Sequence, residues 1–128
     1  MKLAIVIVNW NSGTQLATAI SSIVKYINEF PLEIIVVDNA SSDQSLDRAL
    51  SISLSETIKL STIINSENKG FGYACNQGAI SCKGKYILFM NPDAFLVESI
   101  KPLIDFMDDS INREIGICGA SLIDETGN

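Results

Sequence analysis

The stretch YILFMNPD, from Tyr86 to Asp93, indicates the fold class of the whole chain. Its apolar run is too short for an ordinary helix, and a short apolar run that enters a polar turn is typical of a strand buried on both faces. Pro92 cannot donate to a sheet ladder and keeps Asn91 extended, so the strand is predicted to end at Asn91. Asp93 then lies just past the carboxyl end of the strand, where open parallel sheets bind their ligands.

Strand and helix patterns alternate along the rest of the chain. The other predicted strands are Leu3–Val8, Ile34–Val37, a weaker one within Ile58–Ile64, and Gly116–Ile123. The predicted helices carry Leu16, Ile20, Ile23, Val24 and Ile27; then Leu46, Ala49, Leu50 and Leu54; then Tyr73–Cys82, ended by Gly84; then Ser99–Met107. Asn11 or Ser12 is the candidate N-cap of the first helix. This alternation predicts an α/β fold with right-handed crossovers, a mainly parallel sheet and helices on both faces.

The composition excludes several classes of function. The 128 residues fit one domain, and a net charge of −6 without a cluster of Lys and Arg argues against nucleic acid as a partner. The sequence has no His, which excludes a His-based triad and a Cys/His zinc site. Cys75, Cys82 and Cys118 are expected to be small buried residues in a reducing compartment. No segment approaches the roughly 20 apolar residues of a membrane span, so we expect a soluble, cytoplasmic protein.

Pairs of polar residues follow three of the predicted strands. Because the carboxyl ends of parallel strands share one edge of a sheet, the pairs are expected to converge on one crevice. A single pair would be an ordinary turn, since Asn and Asp are common turn residues. Three pairs on one edge favour a binding site. The pairs are Asn9 and Asn11, Asp38 and Asn39, and Asn91 and Asp93.

Two of these residues suggest specific chemistry. Asp38 is the candidate for contacting a nucleotide base or ribose, because its carboxylate can accept a charge-assisted hydrogen bond from either. The alternative for Asp38 is an N-cap of the following helix, although Ser41 and Ser42 lie closer to that position. Asp93, next to the amide oxygen of Asn91, suits a hard divalent cation that carries a phosphate group.

A loop with two glycines precedes the third helix. Gly70 and Gly72 permit positive φ and close backbone approach, next to Lys69, and the following helix points its N-terminus toward an anion. The loop is not a Walker sequence, and a G-x-G pattern alone is a weak signal. Asn76 lies one helical turn further on and faces either ligand or solvent. Trp10 either stacks on a ligand or packs in the core.

Four segments of the chain occur in the order found in one family of enzymes. They are Val8–Asn11, Val36–Asp43, Asn68–Gly72 with Asn76–Gly78, and Leu88–Asp93. Together they resemble the nucleotide-sugar-binding half of family 2 glycosyltransferases, in particular the rhamnosyltransferase-like members, over essentially the whole chain. The resemblance implies the Rossmann-like A-type glycosyltransferase fold for a single domain, 1–128. It also implies a nucleoside-diphosphate-sugar donor, a saccharide or lipid-linked acceptor, and a role in cell-wall polysaccharide biosynthesis.

The resemblance also implies roles for individual residues. Asp38 would contact the base, Lys69 and the Gly70 loop would lie near it, and Asp93 would hold Mg²⁺ or Mn²⁺. The family's metal motif is commonly Asp-x-Asp, whereas this chain has Asn91 at the first position, so the metal would lose one formal charge of attraction. The remaining predicted nucleotide-sugar contacts are Asn9, Asn11, Asn39, Gly72, Asn76 and Asn91.

The family's acceptor-binding half supplies a carboxylate general base, which takes the proton of the attacking hydroxyl. We expect that half to lie beyond Asn128, in a longer protein that associates with a membrane surface. Two alternatives stay open. One is a module that binds a nucleotide sugar without reacting it. The other is a phosphorylation receiver domain, which needs an acidic pair where this chain has Asn9 and Asn11.

Overall fold

Four strands form one parallel sheet in the computed structural model of the chain, which describes residues 1–124 and 126–128. The strands are β1 (Leu3–Asn9), β2 (Leu32–Asp38), β3 (Ile58–Ile64) and β4 (Tyr86–Met90). They lie in the order β3-β2-β1-β4, and every neighbouring pair is parallel. This confirms the predicted parallel sheet. Receiver domains have the order 2-1-3-4-5, so that alternative is excluded.

The described residues divide into two units, Met1–Val97 and Glu98–Asn128. The first unit holds the sheet and the helices α1 (Gln15–Tyr26), α2 (Ser45–Leu50) and α3 (Phe71–Ser81). Right-handed crossovers place α1 and α2 on one face of the sheet and α3 on the other, because the chain reverses direction after β3. Consistently, α1 packs against α2, and α3 packs against β1 and β2.

The core of the first unit lies on both faces of β1, which is buried along its whole length. The face that α3 covers carries Val6, Val8, Ile35 and Val37, and Ala74 of α3 packs with them. The opposite face carries Ile5, Ile7, Ile34 and Val36, since successive side chains of a strand alternate. Gly78 allows α3 to approach β1, because a Cβ there would lie 2.4 Å from Cγ1 of Val6.

The prediction that Tyr86–Met90 is buried on both faces is wrong. Within the described residues β4 pairs only with β1, and the side chains of Ile87 and Phe89 are 41% and 49% exposed. An apolar run identifies a strand, but its position in the sheet depends on which other strands pair with it. The strand ends at Met90, one residue before the predicted end at Asn91, and the backbone N–H of Ala94 donates to the carbonyl of Asn91 in the turn that follows.

The second unit contains α4 (Lys101–Asp108) and a 3₁₀ helix (Ser110–Asn112). The predicted fourth helix is confirmed, with Ile100 and Ile104 buried. The predicted strand Gly116–Ile123 is wrong, because none of these residues is in a strand and they find no partner strand. Two of its apolar side chains, Ile117 and Leu122, are about nine-tenths exposed, at 91% and 90%. None of the described helices is long and apolar enough to cross a membrane.

Several predicted helix ends are wrong for local reasons. The N-cap position of α1 is Thr14, without a side-chain cap, and neither Asn11 nor Ser12 has that role. The second helix is only six residues long, so Leu54 lies beyond it. The N-cap position of α2 is Gln44, which replaces the expected serines.

The third helix and the cysteines also differ from expectation. The helix ends at Ser81, before Gly84, whose lack of a side chain allows the backbone of Ala4 to come close. All three cysteines are free. Cys75 and Cys82 are partly buried against the core, and burial raises the pKa of the Cys75 thiol. Cys118 is exposed, so its predicted burial is wrong.

Candidate functional site

The carboxyl edge of the sheet near β1 and β4 is the point where the chain reverses its direction of winding. Open α/β sheets bind ligands in the crevice at such a point. The strand register brings the predicted polar residues to this edge, because Asn9 pairs with Asp38, and Ile7 of β1 pairs with Met90 of β4. Asn91 therefore leaves the sheet beside β1.

Asn9 and Asp38 form a buried hydrogen-bonded pair at this edge, with 0% and 3% exposure. The Asn9 amide nitrogen donates to Oδ1 of Asp38 at 2.7 Å and to the hydroxyl of Ser45 at 2.8 Å. The other carboxylate oxygen of Asp38 accepts from the backbone N–H of Ser41 at 2.9 Å, and Ser12 donates to Asn9 Oδ1. The carboxylate of Asp38 is therefore held in one orientation.

Asn11 connects the loop after β1 to the loop after β2. It has positive φ, 49°, which asparagine tolerates. Its side-chain oxygen accepts from the backbone N–H groups of Ser42 at 2.7 Å and Asp43 at 3.2 Å, while its own N–H donates to the Ser41 hydroxyl at 2.9 Å. These bonds explain why Asn11 does not cap α1.

Asp43 completes the connection from the other side. Its Oδ2 accepts from the backbone N–H of Gly13 at 2.9 Å, and its Oδ1 accepts from both the hydroxyl and the N–H of Ser45. Hydrogen bonding lowers the pKa of Asp43, chiefly through the Ser45 hydroxyl. The two loops therefore form one hydrogen-bonded body, to which the Asp43 carboxylate contributes three of the bonds.

A chain of three amide side chains joins the end of β2 to the loop before α3. Oδ1 of Asn39 accepts from the side chain of Asn65 at 2.9 Å and from the backbone N–H of Lys69 at 3.4 Å, and its Nδ2 donates to the carbonyl of Gly70 at 3.3 Å. Asn65 and Gln77 exchange two amide hydrogen bonds, at 2.8 and 2.9 Å. The sequence analysis did not identify Asn65 and Gln77 as site residues. In the sequence, they are marked only by lying in polar segments close to the predicted site.

The predicted contacts at the start of α3 are open to solvent. Gly70 has φ 85° and precedes the helix, and a Cβ at Gly72 would have no neighbour within 4 Å. The ammonium of Lys69 lies 5.1 Å from the centre of the Tyr73 ring. Asn76 is exposed. These residues leave room for a ligand at the helix N-terminus.

Asn91 and Asp93 are exposed in the turn after β4. In the part of the chain that the structure describes, no group of three or more His, Cys, Asp or Glu could hold a metal ion. A cation at Asp93 would need further ligands from water or from the phosphates of a bound molecule, as Mg²⁺ commonly does. Trp10 is 57% exposed, so the alternative that it packs in the core is wrong.

Comparison with known proteins identifies the family of the chain. The sequence model of the family Glycosyl transferase family 2 matches residues 4–121 of the chain. An uncharacterized glycosyltransferase of Nostoc sp. is 30% identical over 93 residues, which are 73% of this chain and 28% of that protein. The chain therefore spans less than a third of the length of this relative.

Solved structures show the same fold. S. aureus TarS 1-349 in complex with UDP is 24% identical, with a TM-score of 0.74, over 84% of this chain and 32% of that one. The mannosyltransferase PcManGT from Pyrobaculum calidifontis, in complex with GDP-Man and Mn²⁺, is 18% identical, with a TM-score of 0.71, over 85% and 33%. The predicted Rossmann-like A-type glycosyltransferase fold is confirmed.

Proposed function

The chain belongs to Glycosyl transferase family 2, and on that basis we propose that it is the donor-binding part of an enzyme that transfers a sugar from a nucleoside diphosphate to an acceptor hydroxyl. The observation that carries the proposal is the orientation of Asp38, held by Asn9 and Ser41 at the carboxyl edge of the sheet. The bound UDP of TarS and the bound GDP-Man of PcManGT support a nucleotide-sugar ligand.

In this proposal Asp38 accepts a hydrogen bond from the base or the ribose. Each of its carboxylate oxygens already accepts one bond from inside the protein. A carboxylate has about four lone-pair sites in total, so both oxygens retain capacity for a ligand N–H or O–H. Because the side chain is almost fully buried, it cannot turn away toward solvent. Asn9 and Asn11 would then support the ligand indirectly, by holding Asp38 and its loop.

The diphosphate would lie toward Lys69 and the N-terminus of α3. The backbone N–H groups of a helix N-terminus attract anions, and an ammonium group adds a full positive charge. Gly70 and Gly72 present no side chain that would block the approach of the ligand. Asn76, one turn along the same helix, is exposed and available for a further contact.

The donor set at Asn91 and Asp93 fits a hard divalent cation. It offers a carboxylate and an amide oxygen, and Mg²⁺ is usually held by one or two carboxylates together with substrate phosphates. When bound, such an ion would neutralise charge on the departing diphosphate. Asp93 would supply the main protein ligand, and Asn91 would orient the turn or add its oxygen.

We place the general base outside residues 1–128. Asp38 and Asp93 have other roles in the proposal, and Asp124 is a poor candidate because hydrogen bonds, chiefly from the Thr126 hydroxyl, lower its pKa. A carboxylate with a lowered pKa is a weaker base. Glu125, the other candidate near this end, lies outside the described residues. The sugar and the rhamnosyltransferase-like character stay predictions.

Calorimetric titration with nucleoside diphosphates tests the proposal. We expect uridine or thymidine diphosphate to bind more tightly than adenosine diphosphate. Asp38→Asn should weaken uridine diphosphate binding by about 10- to 100-fold, the value of a hydrogen bond to a charged group. Asp47→Asn is the matched control, because it removes the same charge from an exposed position in α2. Equal affinity for every base would refute a contact between Asp38 and the base, and equal effects of the two substitutions would refute any contact between Asp38 and the nucleotide.

A further inference from the structure

We propose that Gln77 is a positioning residue that fixes the conformation of the Lys69–Gly70 loop through Asn65 and Asn39. The role of that loop as a nucleotide contact rests on the proposed function, whereas the physical connection rests on the hydrogen bonds alone. The connection crosses three elements, since Asn39 follows β2, Asn65 follows β3 and Gln77 lies inside α3.

The polarity of the chain of amides is determined from one end to the other. At the loop, Lys69 offers a backbone N–H and Gly70 offers a carbonyl, so Asn39 must point its oxygen to the first and its nitrogen to the second. The oxygen of Asn39 then also accepts the amide nitrogen of Asn65. This leaves the oxygen of Asn65 facing α3, where the amide nitrogen of Gln77 donates to it at 2.9 Å.

Gln77 holds Asn65 in the orientation that the loop imposes through Asn39. Its Nε2 donates to Asn65 and its Oε1 accepts from Asn65, so two bonds from α3 keep the Asn65 amide in place while its nitrogen also donates to Asn39. Asn39 and Asn65 are 2% and 7% exposed, so water cannot easily replace a lost partner. Without Gln77, Asn65 would lose both bonds that hold it from α3 and would be free to move away from Asn39, which would loosen the support of the loop.

Hydrogen exchange of the free protein tests the connection without any ligand. In Gln77→Leu, the backbone N–H of Lys69 should exchange about tenfold faster, because its acceptor Asn39 is no longer fixed. The N–H of Gly70 is the internal control, since it is bonded to the neighbouring side chain of Asn68 at 2.9 Å. Ile80→Ala is the control substitution, at an 86% exposed position of the same helix. Unchanged exchange at Lys69, or equal acceleration at Gly70, would overturn the proposal.

A charged isostere gives a second, independent readout. Ionised glutamate in Gln77→Glu can accept from Asn65 but cannot donate to it, so uridine diphosphate affinity should fall about tenfold at pH 7.5. Lowering the pH to about 5 should restore affinity relative to wild type, because a protonated carboxyl donates again and burial against an oxygen raises its pKa. Gln77→Leu should show no such recovery.

Other charged groups are present in every variant. Asp38 ends β2, Glu67 and Lys69 lie in the segment before α3, and Glu33 accepts from the backbone N–H of Lys83, just after α3. Measuring wild type at each pH removes their contribution. Equal weakening of the Glu and Leu variants at every pH would overturn the proposal. If wild type binds no nucleotide, the proposed function fails, and the exchange experiment still decides the role of Gln77.

Discussion

Replacing Gly78 with alanine tests how closely α3 must pack on β1 for the site to form. The added Cβ would lie 2.4 Å from Cγ1 and 3.1 Å from Cγ2 of Val6. Carbon atoms prefer a separation of about 3.5–4.0 Å, so the overlap exceeds about 1 Å. Val6 is 1% exposed, has a stiff β-branched side chain, and lies on a strand paired on both sides. The helix, not the strand, must therefore move.

The net effect follows from two opposing contributions. Overpacking of a core costs about 1–3 kcal/mol, and the size of this overlap places the cost at about 3 kcal/mol. Alanine gains up to about 1 kcal/mol over glycine inside a helix. We expect a net loss of about 2 kcal/mol, or a fall in Tm of about 6–10 °C for a chain of this length. Nucleotide affinity should fall as well, because Gln77 moves with the helix.

The assay is thermal unfolding with a matched control in the same helix. Gly72→Ala introduces the same methyl group where no atom lies within 4 Å, so it should be neutral or stabilising by up to about 1 kcal/mol. Adding Val6→Ala to Gly78→Ala should recover part of the loss, with a coupling energy of about 1–2 kcal/mol between the two positions. Equal Tm values for the Gly72 and Gly78 variants would refute the packing argument.

The remaining predictions concern the metal, the loops and the reaction. Asp93→Ala should abolish Mg²⁺-dependent binding of uridine diphosphate in calorimetry while changing stability by no more than about 0.5 kcal/mol, and Asn91→Asp should strengthen it by adding charge. A large fall in Tm for Asp93→Ala would show a structural role instead. Hydrogen bonding lowers the pKa of Asp43 in the folded protein, so its ionised form stabilises the fold at pH values above its ordinary pKa of 3.8. This stabilisation is lost as the pH falls through the lower pKa of the folded state. Asp43→Asn should therefore reduce the difference in Tm between pH 7 and pH 3, and an unchanged difference would contradict the role of its bonds to Ser45. Residues 1–128 should transfer no sugar to hydroxyl acceptors when products are followed by mass spectrometry. Robust transfer would place the base within this chain, with Asp124 and Glu125 the first to mutate.

The sheet could be predicted because its signals are local. β1 and β2 are runs of β-branched and other apolar residues that lie buried in the centre, and Ile58–Ile64 begins and ends where its pattern does. The order of the strands is a different kind of information. It depends on pairing between segments such as Leu3 and Tyr86, which are far apart in the sequence, and no local pattern encodes it. The exposure of Ile87 and Phe89 follows from that pairing.

The polar residues of the site show the same division. Their position at the carboxyl edge followed from the strand pattern, and the structure places Asn9 beside Asp38. What each side chain contacts did not follow, because the partners of Asn11 lie 31 and 32 residues away and those of Gln77 lie 12 residues away. An asparagine at a strand end has the same sequence signal whether it binds a ligand or holds a neighbouring loop.

The chemistry of these supporting residues agrees with an anionic ligand. The chain has a net charge of −6, and a nucleoside diphosphate is also negative, so buried carboxylates beside the proposed ligand would add repulsion. Asp43, which holds the loops, is exposed, and solvent screens its charge. Amide side chains supply both donors and acceptors without charge. Among the described residues that are buried at this edge, Asp38 is the one carboxylate, and its oxygens already accept bonds from inside the protein. The buried positions that support it are neutral: Asn9, Asn39, Ser45 and Asn65. Asn91 fits the same principle, since it keeps a second negative charge away from the turn that carries Asp93.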